Sequence, residues 1–449
     1  MDKDRQSEWE MNLATKKKES ARALALRLLE QILDQGGYSN LLLQKELKAS
    51  TLSNEDKGLV TELVYGTISR KISLEWYLAP FVEDRNKLDK WVYDLLLMAL
   101  YQYLYLERIP DHALVYETVE LAKRKPAAAN YVNAILRRIL REGLADPTTI
   151  RRKNKRLSIL YSMPVWLIKT LTEEFGLDRA EAIAKASLDK NKLSLRVVDL
   201  SLLEEIKQRT DAQYSALSSV GLTLKKGNLA ESTYFKKGQV TIQDESSQLV
   251  APSLRLEGWE KVLDACAAPG GKTCHLASYL KEGQVTALDI HEHKLSLIEE
   301  NARRLGVENR IRLECLDARQ SLDHFGPESF DKALVDAPCS GIGLIRRKPD
   351  IKYRKEAEDF QSLQKLQLQI LDSVCQTVKK GGIITYSTCT IIRKENQEVL
   401  EKFLASHPNF EQVVLEHPQK EIMVDGCLLI TPEQFGTDGF FIGQVRRIS

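Results

Sequence analysis

No run of apolar residues in this sequence reaches the ~18 that a membrane-spanning helix requires. The first twenty residues are polar, with Lys16-Lys17-Lys18, and contain no apolar stretch of signal-peptide type. Neither a membrane anchor nor a secretory route is expected. Cysteine is sparse: seven residues, an odd number, with no C-x-x-C pair. That argues for free thiols in a reducing cytoplasm and against a disulfide framework or a zinc site. Charge of one sign is also lacking, since the formal net charge is only +2. Two nucleotide signatures are missing. A P-loop ending in Gly271-Lys272-Thr273 needs a glycine at 266, where Cys266 stands. The dinucleotide pattern G-x-G-x-x-G fails because Pro269 precedes only a Gly-Gly pair.

What is present is length for two or three domains in 449 residues, with 43% hydrophobic content of ordinary globular type. Charge is uneven along the chain. Between Leu121 and Arg156 stand Lys123, Arg124, Lys125, Arg137, Arg138, Arg141, Arg151, Arg152, Lys153, Lys155 and Arg156 against Glu142 and Asp146, a net of +9. Charge runs are usually solvated faces, but this bias favours a polyanionic partner.

Residues 1–19 read as a charged, disordered leader. Residues 20–148 are helical in pattern. Apolar residues recur at i, i+3, i+4 spacing from Arg22 to Leu29, Gly36-Gly37 ends that helix, and Ser53-x-Glu55-Asp56 caps another. Residues 149–160 read as a basic linker. Residues 161–237 alternate short helices with the strand-like Leu193–Val198 and Gly221–Leu224, an α/β module of RRM-like size without an RNP-type aromatic cluster.

From Gly238 to Ser449 strands and helices alternate, which implies a parallel sheet covered on both faces. The expected strands are Lys261–Leu263, Val285–Ile290, Ile311–Leu316, Phe330–Val335 and Ile383–Ser387. The expected helices run to Leu280, over Glu292–Leu305, about Asp359–Val378 and Lys394–Leu404. The first strand meets a Gly-rich turn, Cys266-Ala267-Ala268-Pro269-Gly270-Gly271-Lys272, whose glycines would admit a ligand close to the backbone. Asp289, Asp317 and Asp336 sit where three successive strands end, the place where such sheets bind ligands. The Gly-rich corner and three carboxylates form the pattern of an S-adenosylmethionine site. Gly270 and Gly271 would serve the methionine end, Asp289 the ribose and Asp317 the adenine side. Cys339 and Cys389 end neighbouring strands, so both thiols are expected in that cleft. Cys315 and Cys375 read as buried structural residues.

The helical region resembles the NusB-like RNA-binding domain through Leu52-Ser53-x-Glu55-Asp56-Lys57, Val64-Tyr65-Gly66-Thr67, Pro110-Asp111-His112-Ala113 and Asn130-Tyr131-Val132-Asn133-Ala134-Ile135-Leu136-Arg137. A helical dimerisation domain is the plainer alternative. The C-terminal region resembles the RNA cytosine-C5 methyltransferases (the NOL1/NOP2/Sun family). The motifs are Cys266–Thr273, Asp336-Ala337-Pro338-Cys339-Ser340-Gly341 and Tyr386-Ser387-Thr388-Cys389-Thr390. Lys348-Pro349-Asp350 departs from the family's usual His-Pro-Asp.

The resemblance implies a multidomain protein: an all-α NusB-like domain, the small module, and a Rossmann-like class I methyltransferase domain. It implies S-adenosylmethionine as cofactor without metal, 16S rRNA as substrate, no membrane and no obligate protein partner. It assigns attack to Cys389 and release to Cys339, although by chemistry alone either thiol would serve. Asp336 would hold the base, Lys272 would lie near the cofactor carboxylate or the base, and Arg346-Arg347-Lys348 would help deliver RNA. The rivals are a tRNA methyltransferase with the same chemistry and a non-catalytic RNA-binding antitermination or assembly factor.

Overall fold

The buried stripe Leu24, Leu28, Leu29 and Ile32 makes α1 (Ala21–Leu33) an amphipathic helix, with the Ser20 hydroxyl capping its start. A computed structural model describes residues 19–224 and 232–449 of the chain. The expected leader lies outside the described residues, except for Glu19.

Contacts divide the chain into two units: one through Ile168 with Lys348–Asp350, and one of Lys169–Arg347 with Ile351–Ser449. In the first, α1 is followed by α2 (Ser39–Ala49), α3 (Asn54–Ser69), α4 (Lys71–Leu78), α5 (Lys90–Tyr105), α6 (Asp111–Ala122) and α7 (Pro126–Glu142). Ser53 caps α3 by accepting the Asp56 N–H at 3.1 Å, as the sequence suggests. Gly66 has a packing reason. A Cβ there would lie 1.9 Å from the Tyr101 ring, whose hydroxyl donates to Glu62 at 2.6 Å. α5 is buried along most of its length and forms the centre on which α1, α3 and α6 pack.

The run expected to be a linker instead holds α8 (Lys153–Leu160), with Leu157 and Ile159 buried. The Ser73 hydroxyl of α4 donates to the Ile159 carbonyl at 2.5 Å, and Ser162 accepts the Ile72 N–H at 2.9 Å. Lys153 and Lys155 are exposed, Arg156 is half-buried, and the apolar side chains anchor the helix to α4.

The second unit contains two sheets. The smaller is antiparallel, with β1 (Leu193–Val197), β2 (Gln213–Tyr214), β3 (Gly221–Leu224) and β4 (Val240–Ile242) in the order β2-β3-β1-β4. α9 (Leu203–Thr210) buries Ile206 against Leu195, Leu222 and Val240. The boundary expected at Gly238 precedes β4, which nevertheless pairs with β1 and completes this sheet.

The larger sheet has β5 (Lys261–Asp264), β6 (Gln284–Asp289), β7 (Ile311–Cys315), β8 (Phe330–Asp336), β9 (Val378–Thr388), β10 (Phe410–Gln412), β11 (Met423–Val424), β12 (Cys427–Ile430) and β13 (Phe440–Arg447). Their order is β11-β12-β13-β9-β8-β5-β6-β7, with β10 on β13. Strands β5 to β9 pair in parallel and β13 runs antiparallel to β9. β5 has β6 on one side and β8 on the other, so strand order reverses there and a crevice opens beyond the carboxyl ends. The covering helices include α10 (Gly271–Tyr279), α11 (Glu292–Leu305), α12 (Asp359–Thr377) and α13 (Gln397–Ser406).

Two boundaries differ from expectation. β9 begins five residues before Ile383, and its pairing with β8 slips between Phe330 and Lys332, where Gly381 has φ +81°. The pair Gly381-Gly382 forms an irregularity within the strand. The last helix starts at Gln397 rather than Lys394, because Arg393–Glu395 form a separate 3₁₀ turn. Among the described residues, no helix is long and apolar enough to cross a membrane.

Candidate active site

The turn after β5 is built first for helix packing. Gly270 has φ +96° at the start of α10, and a Cβ there would lie 2.9 Å from the Ile298 Cα of α11. The close approach of α11 by itself requires a glycine there. At Gly271 a Cβ would meet no atom within 4 Å. The Ala267 N–H donates to the Leu288 carbonyl at 2.8 Å, and Asn301 donates to the Pro269 carbonyl at 3.1 Å. These bonds tie the turn to β6 and α11.

The strand ends then converge on one cleft of about 440 Å³. Asp289 ends β6, Asp317 lies two residues after β7, and Asp336 ends β8. All three line the cleft, together with Cys266, Ala268, Ile290, Cys339 and Cys389. The other turn residues expected at the cofactor, Ala267, Pro269, Gly270, Gly271 and Lys272, are not on its wall. Lys272 reaches the site through Asp336 instead, donating to Oδ2 at 2.7 Å while the Ser387 hydroxyl donates to Oδ1 at 2.8 Å. Burial opposes charge on Lys272, but Asp336 outweighs it and the pKa stands above the ordinary lysine value.

The thiols differ in environment. Cys339 and Cys389 have their sulfurs 3.2 Å apart. The hydrogen bond with Cys389, and then burial, hold the Cys339 thiol well above its usual range. Cys266 is also pushed well up, by burial and then by Asp264, Asp336, Asp289 and Asp317. Burial and these carboxylates keep Cys266 neutral. Each carboxylate of the cleft has a cation beside it: Lys272 at 2.7 Å from Asp336, Arg319 at 2.6 Å from Asp317 and Lys294 at 4.0 Å from Asp289. Acceptor carboxylates and the exposed Ile290 side chain suit a nucleoside ligand. Cys315 is exposed at the end of β7, not buried as expected, whereas Cys375 is buried in α12. Among the described residues, no cluster of His, Cys, Asp or Glu is placed to hold a metal.

The sequence reading passed over two residues. Glu395 is fully buried and accepts the Ser340 N–H at 2.7 Å and the Ser340 hydroxyl at 2.6 Å. Burial raises its pKa against the pull of those bonds. Asn396 donates to the Thr390 carbonyl at 3.0 Å and accepts the Thr388 hydroxyl at 2.5 Å. Their signal was a Glu-Asn pair shortly after Thr-Cys-Thr, which resembled the first turn of an exposed helix.

Arg346 and Arg347, expected to help deliver RNA, stand beside carboxylates of their own domain. Arg347 pairs with Asp438 at 2.8 Å and with Asp244, and the buried Arg346 lies 3.9 Å from Asp438. They fasten the loop after β8 to the segment before β5 and to the turn before β13. The basic stretch also divides. Lys123, Arg124, Lys125, Arg138 and Arg141 are neutralised by Glu120, Glu30, Asp89 and Glu142. Arg151, Arg152, Lys153 and Lys155 are exposed, and no carboxylate among the described residues pairs with them.

Comparison with known proteins decides the family. Residues 251–446 match the family model described as 16S rRNA methyltransferase RsmB/F, and residues 19–141 match the NusB family. The chain is 44% identical to a probable ribosomal RNA small subunit methyltransferase B of Bacillus subtilis, over 96% of this chain and 99% of that one. It belongs to the RsmB/F family of rRNA methyltransferases. A ribosomal RNA small subunit methyltransferase B from Klebsiella pneumoniae is 34% identical over 88% of this chain and 92% of its own. The crystal structure of PH0851 shares the fold, with TM-score 0.81 at 24% identity over 96% of this chain and 99% of that one. NSun6 from Pyrococcus horikoshii, solved with SFG, aligns with TM-score 0.57 at 21% identity over 65% of this chain and all of that one. This RsmB/F member is therefore a methyltransferase acting on small-subunit rRNA, with an NusB-type helical domain before its catalytic sheet.

Proposed function

We propose that the chain methylates C5 of a cytosine in 16S rRNA, using S-adenosylmethionine and a covalent bond between cysteine and C6. The observation that carries this is the pair of thiols 3.2 Å apart, beside Asp336, in the cleft that also holds Asp289 and Asp317. S-adenosylmethionine, when bound, supplies an electrophilic sulfonium methyl. Asp289 would accept ribose hydroxyls, and Asp317 would face the adenine side.

C5 of cytosine is a weak nucleophile. When the Cys389 sulfur adds to C6, the ring gains an enamine whose C5 can take the methyl group. A C5–methyl bond forms as the methyl leaves the sulfonium. Water in the cleft then takes the C5 proton, and the electron pair of that C–H bond re-forms the C5–C6 double bond and expels the Cys389 sulfur as a thiolate. Asp336, oriented by Lys272 and Ser387, holds the base edge and supports protonation at N3. At 3.2 Å either thiol can donate to the other, and the assignment of attack to Cys389 and release to Cys339 rests on the resemblance to the family's Thr-Cys and Pro-Cys pattern. The base must be unpaired or flipped to reach the cleft. The exposed cations of Arg151–Lys155 would steer the RNA, and the reaction would take place in the cytoplasm.

Bisulfite sequencing of 16S rRNA from a deletion strain tests the reading. One protected cytosine should become convertible and regain protection when the gene is restored. An unchanged pattern would sink cytosine-C5 chemistry in this rRNA.

A further inference from the structure

Two catalytic loops on different strands must keep their sulfurs in register. The Cys339 loop leaves β8 and the Cys389 loop leaves β9. Backbone pairing of the strands ends at Asp336 and Ser387, before either cysteine. Beyond that point two backbone bonds still cross, from the Ala337 N–H to the Ser387 carbonyl at 2.9 Å and from the Gly343 N–H to the Cys389 carbonyl at 3.0 Å, and side chains from Glu395 and Asn396 add further ties. Glu395 grips Ser340, the residue after Cys339, by both its N–H and its hydroxyl. The same hydroxyl lies 3.0 Å from Thr390 Oγ1, the residue after Cys389. Asn396 takes hold of Thr388 and Thr390, the residues on either side of Cys389. Gln367 of α12 adds a donor bond of 3.0 Å to the Pro338 carbonyl, and Tyr386 donates to the Glu395 carbonyl at 2.6 Å.

We propose that Glu395 and Asn396 are positioning residues that fix the spacing of the thiols, Glu395 by holding the Cys339 loop through Ser340 and Asn396 by bracing the Cys389 loop on both sides of the cysteine. Neither lies on the cleft wall, so they act through Ser340, Thr388 and Thr390 rather than on substrate. A buried carboxylate is expensive to keep without donors. Its two bonds to Ser340 account for its presence at this spot, and an apolar residue there would leave the Ser340 N–H without an acceptor. The proposal deepens the reading of Cys339 and Cys389 as partners in one reaction, and rests on it for its functional meaning.

The test reads spacing directly. Diamide, taking two electrons and two protons from the thiols, joins Cys339 to Cys389 at a rate set by how often the sulfurs meet. That rate is followed in the full chain by mass spectrometry. Glu395→Ala and Asn396→Ala should each slow it tenfold or more and lower kcat on 16S rRNA at least as much. KM for S-adenosylmethionine and calorimetric affinity for S-adenosylhomocysteine should stay within twofold. Glu395→Gln keeps one acceptor oxygen, and the Ser340 hydroxyl can rotate to accept from its amide, so both rates should largely return.

An unchanged disulfide rate in both alanine variants overturns the proposal. So does loss of cofactor affinity in step with the disulfide rate across all three variants, which marks a general loosening of the domain. Turnover that survives Cys389→Ala would instead defeat the covalent reading, while the disulfide rate would still decide the spacing role.

Discussion

Asp264 gives the sharpest test of the site's electrostatics. It closes β5 and is fully buried; its Oδ2 accepts the Thr273 hydroxyl at 2.7 Å, the Cys266 backbone N–H also favours its charged form, and Oδ1 makes no close hydrogen bond. Burial pushes its carboxyl up to about 7, against both of those donors. The unfolded chain releases the proton near its ordinary 3.8, while the folded protein keeps it until about 7. Over that interval the native state binds more protons, so stability falls as pH rises and stays lower above 7. At about 1.36 kcal/mol per pH unit the loss is about 4 kcal/mol. Asp264→Asn removes this titration. Its amide nitrogen, placed where Oδ1 was, lacks an acceptor and costs roughly 1–3 kcal/mol, independent of pH.

The difference between the two proteins as a function of pH therefore isolates the carboxyl, since every other titrating group is common to both. Scanning calorimetry of the ligand-free chain from pH 4 to pH 8 measures it, on the transition that S-adenosylhomocysteine shifts. At roughly 2–4 °C per kcal/mol, the variant should gain about 8–16 °C on the wild type across that range. A difference that stays flat with pH would refute the buried, proton-bearing state assigned to Asp264.

The thiols separate by mutation. Cys389→Ala should be inactive and adduct-free, whereas Cys339→Ala should accumulate an RNase-sensitive protein–RNA band on a denaturing gel. The opposite pattern would exchange their roles. Asp289→Ala should weaken S-adenosylmethionine at least tenfold, since a charge-assisted hydrogen bond contributes about 1.5–3 kcal/mol. Unchanged calorimetric affinity would remove Asp289 from the ribose. Neutralising Arg151, Arg152, Lys153 and Lys155 together should flatten the salt dependence of RNA binding by roughly 3 in log–log slope, at about 0.7 per contact with a single strand. A slope that does not change would make them a solvated face.

The elements legible in the sequence were those whose signal is local. Strand ends could be read because an apolar run stops at a carboxylate, as at Asp289 and Asp336, and because the alternation of strands and helices dictates a parallel sheet. That placed Cys339 and Cys389 in one cleft before any coordinate was known. What escaped depended on partners far away in the chain. Arg346 and Arg347 read as a basic patch because their carboxylates, Asp244 and Asp438, stand about a hundred residues off on either side. Charge in a sequence has no sign of whether it is already spent. The same holds for Lys123 and Arg124, paired on the surface, against Arg151 and Arg152, which are not.

Glu395 escaped for the reverse reason. It looked like a solvated acid at a helix start, where acidic residues are common. Only the fold shows it fully buried, with Ser340, 55 residues away, supplying two donors. A carboxylate costs several kcal/mol to bury without partners. Its presence between two cysteine loops therefore requires those donors to be in place whenever the domain is folded. On the proposed role of Glu395, the spacing of the thiols is coupled to the folding of the domain and is set before substrate arrives. That is why the diamide rate, measured with no RNA present, should already report the geometry on which turnover depends.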